Sequence, residues 1–444
     1  MVFISTAYQR KTDALDPCLE SRRRFDTHMM NAPSPAPFSK IAFVAMLGVL
    51  FLLFTPFEEG GGHPTMLPKY FAAGASMFLL TPLILVRRIQ FTQPSLLVLV
   101  VLFTLVFHVV INKPVPPQFV LLIAANLALA AVIYEARFAY RKEFEAAAAC
   151  LLIINALAIL FQVGLFYFVT HAIYDVHRLL FGTESRVAED FLNIARFSGI
   201  HVEPGTYTNY VSCLLVIYVF SSDLSKKVMW ISVISMFSVL MTHSASSMFF
   251  VSVMLVLFGW LWRERITLPQ VLAVLGAIVF YVYASNFLEH LLTRFGGDDG
   301  SMSLKVLGIN TYLRTSVEEK LIGLGLGDEP CTACHYQDVG VVLNLVSRGG
   351  IILAFSFSLL LFRAMRMHGV LLATLIFSIP VYCIMSFYEA PIWLFILFAT
   401  SSASLLDKRV KAAKPKATAA VFQMARMFGG AAVKVSPGAR QRDL

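Results

Sequence analysis

The chain has 444 residues, 58% of them hydrophobic and 14% charged, with a mean hydropathy of +0.72. An ordinary soluble domain carries about 25% charged residues. A soluble fold of this length has nowhere to hide so much apolar surface, so the composition points to a membrane protein. The net charge of +9 would suit nucleic acid, but the basic residues fall at the ends of apolar runs and in the tails, where membrane topology places them; no nucleic-acid partner is expected.

Residues 1–40 carry Arg22, Arg23 and Arg24 and a Pro-rich stretch from Ala32 to Pro37, with no apolar core of a signal peptide. They read as a cytoplasmic tail, and the first apolar run, from Ile41, as an uncleaved anchor. Apolar runs follow at 38–57, 67–86, 95–111, 118–134, 146–170, 206–221, 228–241, 245–262, 269–287, 340–362, 369–386 and 390–406. Most approach the ~20 residues that a helix needs to cross about 30 Å of hydrocarbon. Helices rather than open strands follow, because in lipid each segment must satisfy its own backbone amides. The expected fold is therefore all-α and polytopic, with about twelve transmembrane helices. Residues 41–406 form the membrane domain, and 407–444 form a basic, Ala-rich cytoplasmic tail. The stretch Ala417 to Phe428 in that tail has amphipathic character but reads as solvated.

With the N-terminus in the cytoplasm, 26 of the 36 Lys and Arg fall on the cytoplasmic side, at least two in every hairpin. The four short outer loops carry only Lys113 between them, with Lys69 just inside a helix start. This is the positive-inside pattern, and an even number of spans puts both termini inside. Trp230, Trp260, Trp262 and Trp393 fall near helix ends, where indoles favour the interface. Two outer connections, 171–205 and 288–339, are long and rich in charge and histidine, and loops of that length are often functional. The spans carry few charges and the halves show no internal repeat, which argues against an ion-driven transporter. Arg348 is the one obvious charge within a span.

The chemistry-bearing residues therefore gather on the outer side. The first long loop ends Arg196-Phe-Ser-Gly199-Ile-His201-Val-Glu203-Pro204-Gly205. The second contains Arg314, then Gly323-Leu-Gly-Leu-Gly327, Cys331-Thr-Ala-Cys334-His335 and Asp338-Val-Gly340, and runs through Asn344 to Gly350-Ile351. Between the seventh and eighth spans stands the turn Thr242-His-Ser-Ala-Ser-Ser247.

This arrangement resembles the Wzy-type polysaccharide polymerases and their relatives, the O-antigen ligases, over most of the chain. The resemblance rests on Arg196, Gly199, Glu203 and Pro204 before a span, on Arg314 with Gly323 to Gly327, on the segment from Asp338 to Gly350-Ile351, and on the Ser-rich turn near Ser244, where Ala245 stands in place of an Arg often found there. Where the ligases place a His at the head of the last segment, this chain has Asp338, with Gly349 eleven residues on and His335 three residues early. That difference favours polymerase over ligase. The resemblance implies an inner-membrane enzyme that joins polyprenyl-diphosphate-linked oligosaccharide repeat units at the periplasmic face. The substrate would be carried on undecaprenyl diphosphate in the membrane lipid, and a chain-length regulator and a flippase would be partners. The alternatives are a ligase that moves finished polymer to a lipid acceptor and a twelve-span transporter.

A diphosphate leaving group suits arginine, which stays charged and makes bidentate bonds to phosphate oxygens. Cations already in place stabilise the charge that builds as the glycosidic bond breaks. Arg196 and Arg314 are the first candidates for diphosphate binding, with Arg294, Arg186 and Arg348 behind them. Glu203, His335 and Asp338 are candidates to take the proton of the acceptor hydroxyl. No cofactor or metal is called for, and His171, His177 and His201 show no metal-ligand spacing. Each residue also has a plainer reading: Glu203 and Asp338 as helix caps, the glycines as turn formers, Arg348 as a group paired inside the bundle, and the loop arginines as solvent or headgroup contacts. Cys331-Thr-Ala-Cys334-His335 has the spacing of a c-type haem attachment, but nothing else in the chain offers a haem domain; a local disulfide is preferred.

Overall fold

The computed structural model describes residues 36–55, 66–86, 117–185, 195–265, 300–325, 340–383 and 389–401 continuously, with isolated positions between them. Most of those residues are helical, with no strand among them. The helices are α1 (Ala36–Phe54), α2 (Met66–Val86), α3 (Pro117–Ala139), α4 (Arg141–Leu165), α5 (Val176–Phe181), α6 (Pro204–Ser221), α7 (Lys226–Leu240), α8 (Ala245–Trp262), α9 (Gly300–Arg314), α10 (Val317–Ile322), α11 (Val341–His368), α12 (Val370–Tyr382) and α13 (Ala390–Ser401). Ten of the twelve apolar runs coincide with these helices. The run 95–111 and most of 269–287 lie outside the described residues, as do both tails. Among the described residues, four helical stretches are long and apolar enough to cross a bilayer: Pro68–Val86, Val120–Ala139, Arg141–Thr170 and Ala245–Trp262.

Local chemistry sets the helix ends. Ser225 caps α7 by accepting the Val228 N–H, and Asp175 caps α5 by accepting the Arg178 N–H at 2.9 Å. Pro204 occupies the first turn of α6, where its missing N–H costs nothing. Ser316 and Glu319 form a reciprocal capping box on α10. At its far end α4 widens into a π-helical turn, Phe166–Thr170, closed by His171 at φ 51°.

Side-chain contacts sort into two ends of the bundle. At one end Ser39 donates to Glu143 (2.7 Å), the Tyr140 hydroxyl donates to the Leu83 carbonyl, and Arg141 pairs with Asp223. There too Arg363 donates to the Thr400 carbonyl, and Arg137 lies over the rings of Tyr134 and Phe398. This end carries the paired arginines and lysines of the short hairpins. The opposite end holds the 195–203 segment, the turn after α7, the start of α11 and the start of α13.

The longest helix is broken. Gly350, inside α11, has φ 64° and ψ −164°. The segment after α10 docks on the break: the Leu324 N–H donates to the Ser347 carbonyl (2.8 Å) and the Gly325 N–H to the Arg348 carbonyl (3.0 Å). A Cβ on Gly323 would stand 2.2 Å from the Arg348 carbonyl oxygen, and one on Gly350 would stand 2.3 Å from that of Leu321. Two backbones therefore meet where no side chain fits. Carbonyls left over by the break find donors, as a low-dielectric setting demands. Gly323 and Gly325, at φ 90° and 92°, serve this docking; Gly327 lies outside the described residues. At its start α11 leans on the end of α12, with the Val341 N–H donating to the Cys383 carbonyl (3.1 Å).

Candidate active site

The segment Ala195–Glu203 enters α6 as a turn tied down along its length. Two residues seven apart on α4, Asn155 and Gln162, lie two helical turns from each other on one buried face. The Gln162 side-chain oxygen accepts the N–H groups of Ser198 (3.2 Å) and Gly199 (2.7 Å), while its nitrogen donates to the Tyr174 carbonyl (2.8 Å). The Asn155 nitrogen donates to the Leu151 carbonyl, which aims its oxygen at His201 Nε2–H, 2.9 Å away. The His201 N–H closes the turn on the Ser198 carbonyl, with Gly199 at φ 59° inside it.

Two more histidines clamp the segment from outside. His177 Nδ1 faces the Ile200 carbonyl at 2.8 Å, and His243 Nδ1 faces the Ala195 carbonyl at 2.6 Å. A carbonyl only accepts, so each Nδ1 carries a proton. In the neutral rings Nε2 then accepts from the Thr183 hydroxyl (3.1 Å) and the Tyr281 hydroxyl (2.7 Å) respectively. His243 sits at φ 53° in the turn after α7. The same turn presents the Thr242 carbonyl to the Phe197 N–H, and the Thr242 hydroxyl to that of Thr208 on α6. Burial pushes His201 down to a pKa of about 3, so it stays neutral at ordinary pH.

Within this segment Ala195, Phe197 to Val202 and the following Pro204 are buried, whereas Arg196 and Glu203 are half-buried. The anchors go to the backbone, and the two charged side chains stay half-buried, Arg196 with its Nε enclosed. Glu203 stands at the N-cap position of α6 but makes no side-chain cap; its carboxylate accepts from the Thr206 hydroxyl at 3.2 Å.

The other expected residues are placed as follows. Arg314 ends α9, exposed and without an ion pair among the described residues. Arg348 lies two residues before the break in α11, half-buried, with Nε donating to the Asn344 side-chain oxygen at 3.0 Å. His335, Asp338, Arg294 and Arg186 lie outside the described residues, as do Cys331 and Cys334. The described residues thus hold Arg196 and Glu203 on one anchored segment, and no contact joins Arg314 to them. Among the described residues no three His, Cys, Asp or Glu side chains converge as metal ligands.

Sequence reasoning weighed charges and passed over the buried amides. Asn155 and Gln162, polar residues at helical spacing in an otherwise apolar span, were the available signal for the anchor. It also passed over Glu389, which meets Lys69 at 3.2 Å and accepts from the Tyr210 hydroxyl, one turn into α2 and two turns into α6. No family model matches this chain, and no curated protein matches it.

Proposed function

We propose that the protein is a membrane glycosyltransferase that joins polyprenyl-diphosphate-linked oligosaccharide repeat units into polysaccharide at the outer face of the cytoplasmic membrane. The reading rests first on the motif resemblance. The observation that carries it is the 195–203 segment: its backbone is anchored by Gln162, Asn155, His177 and His243, and its presented groups are one guanidinium and one carboxylate. Diphosphate release and hydroxyl activation need that pair of groups. The basic hairpins at the opposite end of the bundle favour an orientation with this segment outside and both termini inside, and the twelve runs favour twelve spans.

In the reaction the acceptor hydroxyl oxygen attacks the anomeric carbon of the donor sugar. A new C–O bond forms as the anomeric C–O bond to phosphate breaks. The diphosphate departs with the electron pair, held by Arg196, Arg314 and the further arginines Arg348, Arg294 and Arg186. The hydroxyl proton passes to Glu203, or to His335 or Asp338 on the second loop. Undecaprenyl diphosphate is the expected carrier, and a flippase and a chain-length regulator the expected partners. The break in α11 favours a second reading, transport, because discontinuous helices line many substrate paths.

A gel of lipid-linked and surface glycans from cells lacking the gene separates these readings. Single repeat units with no ladder are expected. Full-length polymer stranded on its carrier would point to ligation instead, and an unchanged profile would overturn the glycosyl-transfer reading in favour of transport.

A further inference from the structure

Lys69, Glu389, Tyr210 and Asn126 converge on a cleft between α1, α2, α3, α6 and α13, at the end of the bundle that carries the 195–203 segment. Its remaining walls are apolar: Leu52, Leu53, Pro68, Ala72, Ala390 and Pro391. The water-accessible space is about 40 Å³, room for a water molecule or two or for the edge of a larger group, and it is only partly enclosed. Lys69 and Glu389 pair at 3.2 Å with side chains only 13% and 12% exposed. The Tyr210 hydroxyl donates to the other Glu389 oxygen. Asn126 is 6% exposed, lines the cleft, and its amide makes no hydrogen bond among the described residues.

A buried ion pair is a poor stabiliser, since apolar residues of the same volume often serve as well or better. What this pair does supply is a donor and an acceptor side by side with no net charge. Asn126 adds one of each. An anionic ligand would meet the Glu389 carboxylate and a cation the Lys69 ammonium. A neutral hydroxyl-bearing ring finds partners for its hydroxyls in the polar group and for its C–H faces on the proline and leucine walls. Tyr210 lies seven residues after Glu203 on α6, on the same face and about 10 Å further along the axis, so the cleft continues the face that presents the candidate carboxylate.

We infer that this cleft is a subsite for a neutral, hydroxyl-rich group, the edge of a sugar unit, lying below the Arg196–Glu203 segment. The identification of that sugar with the growing glycan rests on the glycosyl-transfer reading, whereas the binding does not.

The test uses the full-length protein in nanodiscs and two probes with the same tail, n-octyl β-D-glucoside and octyl phosphate, each below its micellar concentration. Amine labelling of Lys69 is followed by mass spectrometry. The glucoside is expected to slow labelling at least threefold and octyl phosphate to slow it less. The Asn126→Leu variant, which leaves the Lys69–Glu389 pair in place, should lose the protection. Equal or greater protection by octyl phosphate, no protection by the glucoside, or full protection in Asn126→Leu would each overturn the inference. The readout needs no turnover, so a protein that binds the glucoside while its deletion leaves cellular glycans unchanged would keep the subsite and lose the glycosyl-transfer reading.

Discussion

Gln162 ties down the 195–203 segment through one side-chain oxygen that accepts two successive backbone N–H groups. Leaving a buried donor unpaired costs about 1–3 kcal/mol. Gln162→Leu is therefore expected to loosen the segment, reaching the membrane at wild-type level while losing most activity; a wild-type glycan ladder would show that the anchor is dispensable. His201 gives a pH signature. Its folded pKa, about 3, lies below the ordinary 6.5, so the unfolded chain binds a proton that the folded chain refuses. The contribution is fully present above pH 6.5 and is lost as pH falls from there toward 3. By pH 5 the loss is about 2 kcal/mol, read as a drop in unfolding midpoint between pH 7.5 and pH 5 that His201→Gln should largely abolish. At this scale the sequence showed the presented groups, Arg196 and Glu203, because they are charged. It hid their supports, because an amide in an apolar run looks like noise until its helical spacing is counted.

The elements were legible where hydropathy marks them. Run boundaries at 206–221, 228–241 and 245–262 fall within two residues of helices α6, α7 and α8. The break in α11 was not legible, because Gly349-Gly350 interrupts neither the apolar character nor the length of the run 340–362. Nor does hydropathy report a docking made by backbone alone: the groups that meet there are peptide N–H and C=O. Gly350→Ala would force a Cβ to within 2.3 Å of the Leu321 carbonyl oxygen and 2.7 Å of the Gly323 nitrogen. A loss of about 3 kcal/mol or more is expected, with poor accumulation in the membrane. Gly369 provides the contrast: it too has positive φ (85°), but a Cβ there meets nothing within 4 Å, so Gly369→Ala should cost only about 1–2 kcal/mol. Equal effects would remove the close approach as the reason for Gly350.

Across the whole molecule, the two ends differ in chemistry. One gathers Arg137, Arg141, Lys226, Lys227, Arg263, Arg265, Arg363 and Arg366; the other gathers clamped histidines, the 195–203 segment and the Lys69–Glu389 cleft. If the basic end faces the cytoplasm, a cysteine at the exposed Glu184 should react with a membrane-impermeant thiol reagent in intact cells, and one at the exposed Lys226 only after lysis, both in a background with the native cysteines replaced. The reverse pattern would invert the topology and remove the periplasmic assignment. Composition alone gave this scale its class, and the distribution of lysine and arginine its expected direction. That no contact among the described residues joins Arg314, at the exposed end of α9, to the Arg196 segment was beyond the reach of motif spacing, which reports order along the chain and not placement in the bundle.

The most direct test of the account is the glycan ladder of cells whose only copy carries Arg196→Ala or Glu203→Gln, compared at equal membrane abundance with the wild type. The segment is anchored by Gln162, Asn155, His177 and His243 rather than by these half-buried side chains, so both variants should fold and insert. Repeat units that no longer polymerise are expected, with long chains reduced at least a hundredfold for Arg196→Ala, about the loss of one charge-stabilising donor in a transition state. A full-length ladder from both variants at normal abundance would contradict it.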